Sequence, residues 1–148
     1  KEDYNDGTLL YYAISGIPIG VIVYAKCLSH WVFSGFPIVV IAPICSYVLS
    51  GTSDNNIYLF LSLLLGTPIF TLIGSPVAAL MLGSSVSGPI LTFITLPFYL
   101  PIIIFGVMST SQINSNINAE FYLLLAILSI GIIFFPMITV KILKNIIN

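Results

Sequence analysis

The sequence predicts an all-α polytopic membrane protein with four transmembrane helices, and three observations support this fold class. Of the 148 residues, 58% are hydrophobic and only 6% are charged, whereas a soluble domain carries about a quarter charged residues. Four apolar runs reach the roughly 20 residues that a helix needs to cross the hydrocarbon of a bilayer. These runs are continuous, whereas the strands of a membrane β-barrel alternate apolar and polar residues.

Each predicted span is bounded by a polar or small-residue stretch. The spans are residues 31–50, 57–82, 89–108 and 121–140, and the stretches between them read "GTSDNN", "GSSVSG" and "STSQINSNINAE". The predicted organisation therefore has two parts. Residues 1–30 form a cytoplasmic acidic elbow with interfacial helices, and residues 31–148 form the transmembrane bundle.

The lysines predict the orientation of the bundle. Lys1 and Lys26 precede the first span, and Lys141 and Lys144 follow the fourth. Four spans place both chain ends on one side, and lysine is enriched in loops on the cytoplasmic side. We therefore expect both ends to be cytoplasmic, or on the matrix side of a mitochondrial membrane.

The segment before the first span contains four of the nine charged residues within its first six positions, "KEDYND". Asp6 is a good N-cap for a short helix that the residues around Pro18 would stop. A second helix is predicted from Pro18, with Lys26 and His30 on one face at i, i+4 spacing. The sequence leaves two interpretations open, a solvated loop and a docking helix that receives force from a cytoplasmic partner.

Three Gly-x-Pro elements interrupt the apolar runs. They are Gly35 with Pro37, Gly66 with Pro68, and Gly74 with Pro76. Each is expected to kink or locally unwind its helix. They are interpreted either as packing points, with neighbouring helices and Ser or Thr side chains satisfying the freed carbonyls, or as hinges of a moving transporter.

The sequence offers no catalytic residue and no metal site. It lacks the G-x-x-x-x-G-K-[ST] loop that cradles ATP phosphates, and Cys27 and Cys45 have no metal-ligand spacing. His30 is the only histidine. Histidine is a common axial heme ligand, but its place beside Trp31 favours an interfacial anchor or packing residue. The chain contains no arginine, which argues against nucleic-acid binding.

The residues that carry a family resemblance lie between Lys1 and about Val107. Asp3, Asp6 and Gly7 match an acidic F-x-x-D-x-x-D-G stretch whose phenylalanine would precede Lys1. Further matches in order are Ala25-Lys26, His30-Trp31, Gly35, Pro37, the run Leu63 to Pro68, Gly74, Pro76, Leu96-Pro97, Pro101, Ile104 and Phe105. With this ordered set the chain resembles the CcmB family, the heme exporter permeases of the cytochrome c maturation system.

The resemblance implies a function and a set of partners. It implies a non-catalytic membrane subunit of an ABC-type complex in a bacterial or mitochondrial inner membrane, working as a homodimer. Its partners would be an ATPase subunit, a heme-handling permease subunit and a heme chaperone, and these would handle the ATP and the heme. Asp3, Asp6 and Gly7 would then couple the ATPase to the bundle. Six spans are implied, so two would precede Lys1.

Two other functions fit fewer features of the sequence. A stand-alone carrier or channel would call for ionisable groups inside the membrane or inverted repeats, and the predicted spans contain no acidic residue. An integral membrane enzyme would need convergent catalytic or metal-binding groups, which the sequence lacks. The transport-complex subunit is the favoured interpretation, and the carrier is the alternative.

Overall fold

A computed structural model describes residues 16–51, 56–83, 88–110 and 119–147, and every regular element in these ranges is a helix. The helices are α1 (Ile19–His30), a π-helical segment (Trp31–Gly35), α2 (Phe36–Ser50), α3 (Asn56–Gly83), α4 (Gly88–Thr110) and α5 (Ala119–Ile147). Four helical stretches are long and apolar enough to cross a membrane. This confirms the predicted fold class. Asp3, Asp6 and Gly7 lie outside the described residues.

The first helical stretch is longer than the predicted first span. It runs without a break from Ile19 to Ser50, over 32 residues, whereas the sequence suggested a separate interfacial helix before residue 31. The backbone N–H of Trp31 still donates to the carbonyls of Cys27 and Leu28, so the hydrogen-bond ladder continues across the junction. No proline or glycine lies between Gly20 and Gly35 to stop it. The location of residues 19–30 at the membrane surface stays a prediction.

The ends of the other helices follow local chemistry. Gly51 adopts φ 67° and donates its N–H to the Tyr47 carbonyl at 3.0 Å, which ends α2 as a left-handed glycine cap does. Helices α3 and α4 begin and end within two residues of the predicted spans. Helix α5 continues seven residues past predicted residue 140. Lysines end an apolar run but are good helix formers and suit a helix C-terminus.

Side-chain contacts define the direction of each helix. Val23 of α1, Ala79 of α3 and Leu143 of α5 form one buried cluster, so the start of α1 meets the ends of α3 and α5. At the opposite end, Ser62 near the start of α3 bonds the carbonyl of Gly106 near the end of α4. Thus α3 runs parallel to α5 and antiparallel to α1, α2 and α4.

This arrangement gives the bundle two chemically different ends. We call the end with the Val23, Ala79 and Leu143 cluster the lysine end, because α1 and α5 carry Lys26, Lys141 and Lys144 towards it. Glu120, in the first turn of α5, lies at the opposite end. The grouping of these lysines agrees with the predicted topology, while the identity of the membrane side stays a prediction.

Helix α3 holds the centre of the bundle. A buried cluster joins Ile69 and Ile73 of α3 to Ile102 of α4 and Leu124 of α5. Many large apolar side chains on the other helices face outward; Phe33 and Leu49 are 84% and 87% exposed. Such surfaces suit a lipid solvent, and α3 is the element that brings the remaining helices together.

Candidate functional site

A cleft of about 900 Å³ lies between α1 with the π-helical segment on one side and α3 on the other, with contributions from α2, α4 and α5. Its α3 wall is built of small and hydroxyl-bearing residues that recur along the helix. These are Thr67, Thr71, Gly74, Ser75, Ala78 and Ala79. Small residues allow helices in a membrane to approach closely, and hydroxyls hydrogen-bond between them. The cleft is therefore partly polar inside a strongly apolar bundle.

The inner part of the cleft is organised by Trp31. Its indole Nε1–H donates to Thr67 Oγ1 at 3.0 Å, and the Thr67 hydroxyl donates to the Leu63 carbonyl at 2.8 Å. A Cβ atom at Gly35 would lie 2.6 Å from Trp31 Cδ1 and 3.4 Å from Thr67 Cβ. Only glycine leaves room for the indole there. The π-helical segment is thus joined to α3 by one hydrogen bond and one close approach.

A hydroxyl pair connects α3 to α5 next to Pro76. Ser75 Oγ donates to the Leu72 carbonyl at 2.8 Å, which is the carbonyl that would have accepted the N–H of residue 76. Ser75 Oγ also lies 2.9 Å from Thr139 Oγ1. The proline therefore frees a carbonyl, and the neighbouring serine satisfies it.

A second freed carbonyl is satisfied from another helix. Pro136 in α5 leaves the Ile132 carbonyl without its helical donor. The Tyr24 hydroxyl of α1 donates to this carbonyl at 2.8 Å. The hydrogen bond ties α1 to α5 at the only position where α5 contains a proline.

The glycine and proline residues predicted as hinges or packing points have the following places. Gly35 meets Trp31, and Pro37 is the second residue of α2, directly after the π-helical segment. Helix α3 remains α-helical through Pro68 and Pro76, so the local unwinding expected there is absent. A Cβ atom at Gly66 would lie 3.8 Å from Ile102, and one at Gly74 would lie 3.8 Å from the Tyr99 hydroxyl. A hinge role for these residues stays a prediction.

Two basic residues line the cleft. Lys26 and His30 both contribute to its wall, and both side chains are exposed. His30 directly precedes Trp31, whose partner Thr67 is near the middle of α3. The structure therefore places His30 beside the central part of the bundle, whereas the sequence suggested the start of a span. Among the described residues, no three His, Cys, Asp or Glu side chains are grouped to hold a metal ion.

Sequence reasoning missed Tyr24, Ser75 and Thr139 as connecting residues. Ser75 could have been found, because a serine directly before a proline within a helix is close to the freed carbonyl. Tyr24 and Thr139 carry no such local signal. Their partners are 108 and 64 residues away in the sequence.

Comparison with known proteins identifies the family. The CcmB protein family matches residues 1–145, well beyond the residues that carried the resemblance. Heme exporter protein B of Pseudomonas aeruginosa is 38% identical over 106 residues, which cover 72% of this chain and 48% of that protein. The protein of the same name from Rhodobacter capsulatus is 38% identical over 104 residues, covering 70% of this chain and 48% of that protein.

A third relative extends the match. Heme exporter protein B of Bradyrhizobium diazoefficiens is 29% identical over 137 residues, covering 90% of this chain and 62% of that protein. The chain thus spans about half the length of the first two relatives. With a family match that reaches from residue 1 to residue 145 and four membrane-length helices, the chain belongs to the CcmB protein family.

Proposed function

We propose that this chain contributes the membrane-permease part of an ABC-type complex required for c-type cytochrome biogenesis, either by heme export or by ATP-driven release of a heme-loaded chaperone. The family match over residues 1–145, with relatives named Heme exporter protein B, is the observation that carries the proposal. Four membrane-length helices support the permease role. The complex would be located in a bacterial inner membrane or a mitochondrial inner membrane.

In this proposal the chain does no chemistry itself. ATP hydrolysis belongs to a separate ATPase subunit, and heme is handled by a second permease subunit and a heme chaperone. The sequence lacks a phosphate-binding loop and holds one histidine and one tryptophan. The hydroxyls of the cleft bond backbone carbonyls and one another, which is a structural use of these groups.

The acidic stretch with Asp3, Asp6 and Gly7 is proposed to meet the ATPase. It precedes Ile19 by about a dozen positions in the sequence, and Ile19 begins α1 at the lysine end. Lysine enrichment marks the cytoplasmic side, which is where an ATPase would bind. Carboxylates at that place can pair with basic side chains of a partner.

Genetic complementation tests the function. Cells that lack the full-length gene are expected to lose c-type cytochromes, measured by heme staining and absorbance, and to recover them with the wild-type gene. The ATPase subunit is expected to copurify with the full-length protein in mild detergent. Normal cytochrome content in the deletion strain, or purification without any ATPase, would contradict the proposal and favour a stand-alone carrier.

A charge-reversal pair tests the coupling residues. Asp3→Lys with Asp6→Lys should leave the protein inserted but weaken copurification of the ATPase and reduce cytochrome maturation. Glu120→Lys is the matched control, because Glu120 is at the opposite end of the bundle. Equal ATPase recovery from the double variant and the control would refute the docking role. The full-length protein alone should neither hydrolyse ATP nor retain stoichiometric heme.

A further inference from the structure

We propose that the cleft between α1 and α3 is a binding site for one anionic phospholipid. The phosphate would lie at Lys26 and His30, and an acyl chain would extend past Ile38 and Phe70 towards the middle of the bundle. All four of these residues line the cleft. This inference concerns lipid and does not rest on the proposed role in heme handling.

Charge selects the class of ligand. The cleft is lined by two basic side chains, Lys26 and His30, and none of the lining residues that the structure describes is acidic. Lys141 and Lys144 lie towards the same end of the bundle, so the potential at the mouth of the cleft is positive. Basic pockets between membrane helices bind the head groups of anionic lipids in this way.

Geometry fits a head group near the mouth and a chain deeper in the cleft. Lys26 is seven residues from Ile19, which corresponds to about 10 Å along the helix. A lysine at that depth can extend its ammonium group towards the head-group region while its methylenes stay in the apolar layer. His30 follows one turn deeper on the same face. The two side chains thus offer hydrogen-bond donors at successive depths.

The inner wall suits an acyl chain. Ile38 of α2 and Phe70 of α3 provide apolar surface, and the Phe70 ring packs edge to face against Tyr99 at a centroid distance of 5.1 Å. Ser29 lines the outer part of the cleft, where its hydroxyl can donate to an ester or phosphate oxygen. The volume of about 900 Å³ is in the upper part of the range for small-molecule pockets.

The source of the anion follows from the surroundings. Four helices of membrane-spanning length surround or adjoin the cleft, so the molecules that reach it most often are those of the bilayer. Phospholipids are abundant there, and an anionic one supplies both the phosphate and the apolar chain that the two parts of the cleft fit. A planar amphiphilic carboxylate such as heme, and a segment of protein, are the competing occupants.

Native mass spectrometry of the purified full-length protein tests the proposal. The protein is delipidated and titrated with phosphatidylglycerol or phosphatidylcholine that carry identical acyl chains. We expect selective retention of phosphatidylglycerol. Lys26→Gln should lower this retention about fivefold, as expected for the loss of one lysine near a lipid surface, and His30→Gln should also lower it. Lys26→Arg should restore binding.

Lys141→Gln is the matched control, because it removes a lysine from the same end of the bundle without touching the cleft wall. Thermal unfolding of each variant identifies any loss of fold, and Ile38→Trp provides a second test by filling the acyl-chain part while leaving both basic residues in place. Equal retention of the two lipids, an equal loss in Lys141→Gln, or a protein or heme occupant instead of lipid would overturn the proposal.

Discussion

Helix α3 and the stretch formed by α1, the π-helical segment and α2 are almost equally apolar, yet they have different surroundings. In the most apolar window of α3, 33% of the residues are buried, compared with 11% in the stretch from Ile19 to Ser50. Hydropathy therefore does not separate a central membrane helix from a peripheral one. The distinguishing residues are small and hydroxyl-bearing ones, such as Thr67, Gly74 and Ser75, which α3 places along its contacts.

The difference follows from the solvent. In water a buried apolar face is favoured by the hydrophobic effect, but lipid tails are as apolar as leucine, so packing and hydrogen bonds decide which helix faces associate. Ile44 of α2 is 58% exposed and Ile69 of α3 is fully buried, although both are isoleucines within membrane-length helices. Helix α3 is central because its small residues let neighbours approach and its hydroxyls bond across the contacts.

The largest effect that would sharpen this comparison is expected at the buried isoleucine. Ile69→Ala should destabilise the full-length protein by about 2 to 5 kcal/mol, because it opens a cavity among Ile73, Ile102 and Leu124. Ile44→Ala is the control in the peripheral stretch, where lipid can fill the space. It should cost less than about 1 kcal/mol. Unfolding in mixed micelles measures both, and similar losses would contradict the assignment of α3 as the core.

The next effect concerns the point where the peripheral stretch touches α3. Gly35→Ala should destabilise by about 1 to 3 kcal/mol, because the new Cβ would displace the Trp31 indole from Thr67. Gly74→Ala is the matched control. Its nearest neighbour, the Tyr99 hydroxyl, is 3.8 Å away, an ordinary contact distance. Thermal unfolding compares the two variants.

The outcome separates two interpretations of the Gly-x-Pro elements. A large loss for Gly35→Ala with a small one for Gly74→Ala would show that the first glycine is required for close packing. Tolerance of both substitutions, with a loss of cytochrome maturation in cells, would instead support the hinge interpretation. Equal destabilisation by both would contradict the geometry at Gly35.

The sequence predicted the number of spans and most helix ends because those depend on local properties, namely apolar length and polar boundaries. It did not predict the continuous helix from Ile19 to Ser50. Lys26, His30 and Trp31 together are typical of a membrane interface, but the structure turns them towards a cleft within the bundle. It also could not reveal the bond between Tyr24 and Ile132, which joins residues 108 positions apart.

The smallest effect tests how the peripheral stretch is fixed to α5. Tyr24→Phe removes the hydroxyl that donates to the Ile132 carbonyl, and it should cost about 1 kcal/mol, a typical value for a side-chain hydrogen bond between membrane helices. Tyr47→Phe is the control, because Tyr47 is 54% exposed on α2 and no hydroxyl contact across the bundle is expected from its position. Its effect should be close to zero.

A double-mutant cycle then asks whether the bond matters because of the proline. In a Pro136→Ala background, residue 136 regains a backbone N–H that can donate to the Ile132 carbonyl, so that carbonyl no longer depends on Tyr24. Tyr24→Phe should cost less in this background than in the wild type, and the difference is the coupling energy. If the cost is the same in both backgrounds, the Tyr24 hydroxyl does not serve the carbonyl that Pro136 frees. The stabilisation would then come from the contact of the aromatic ring alone.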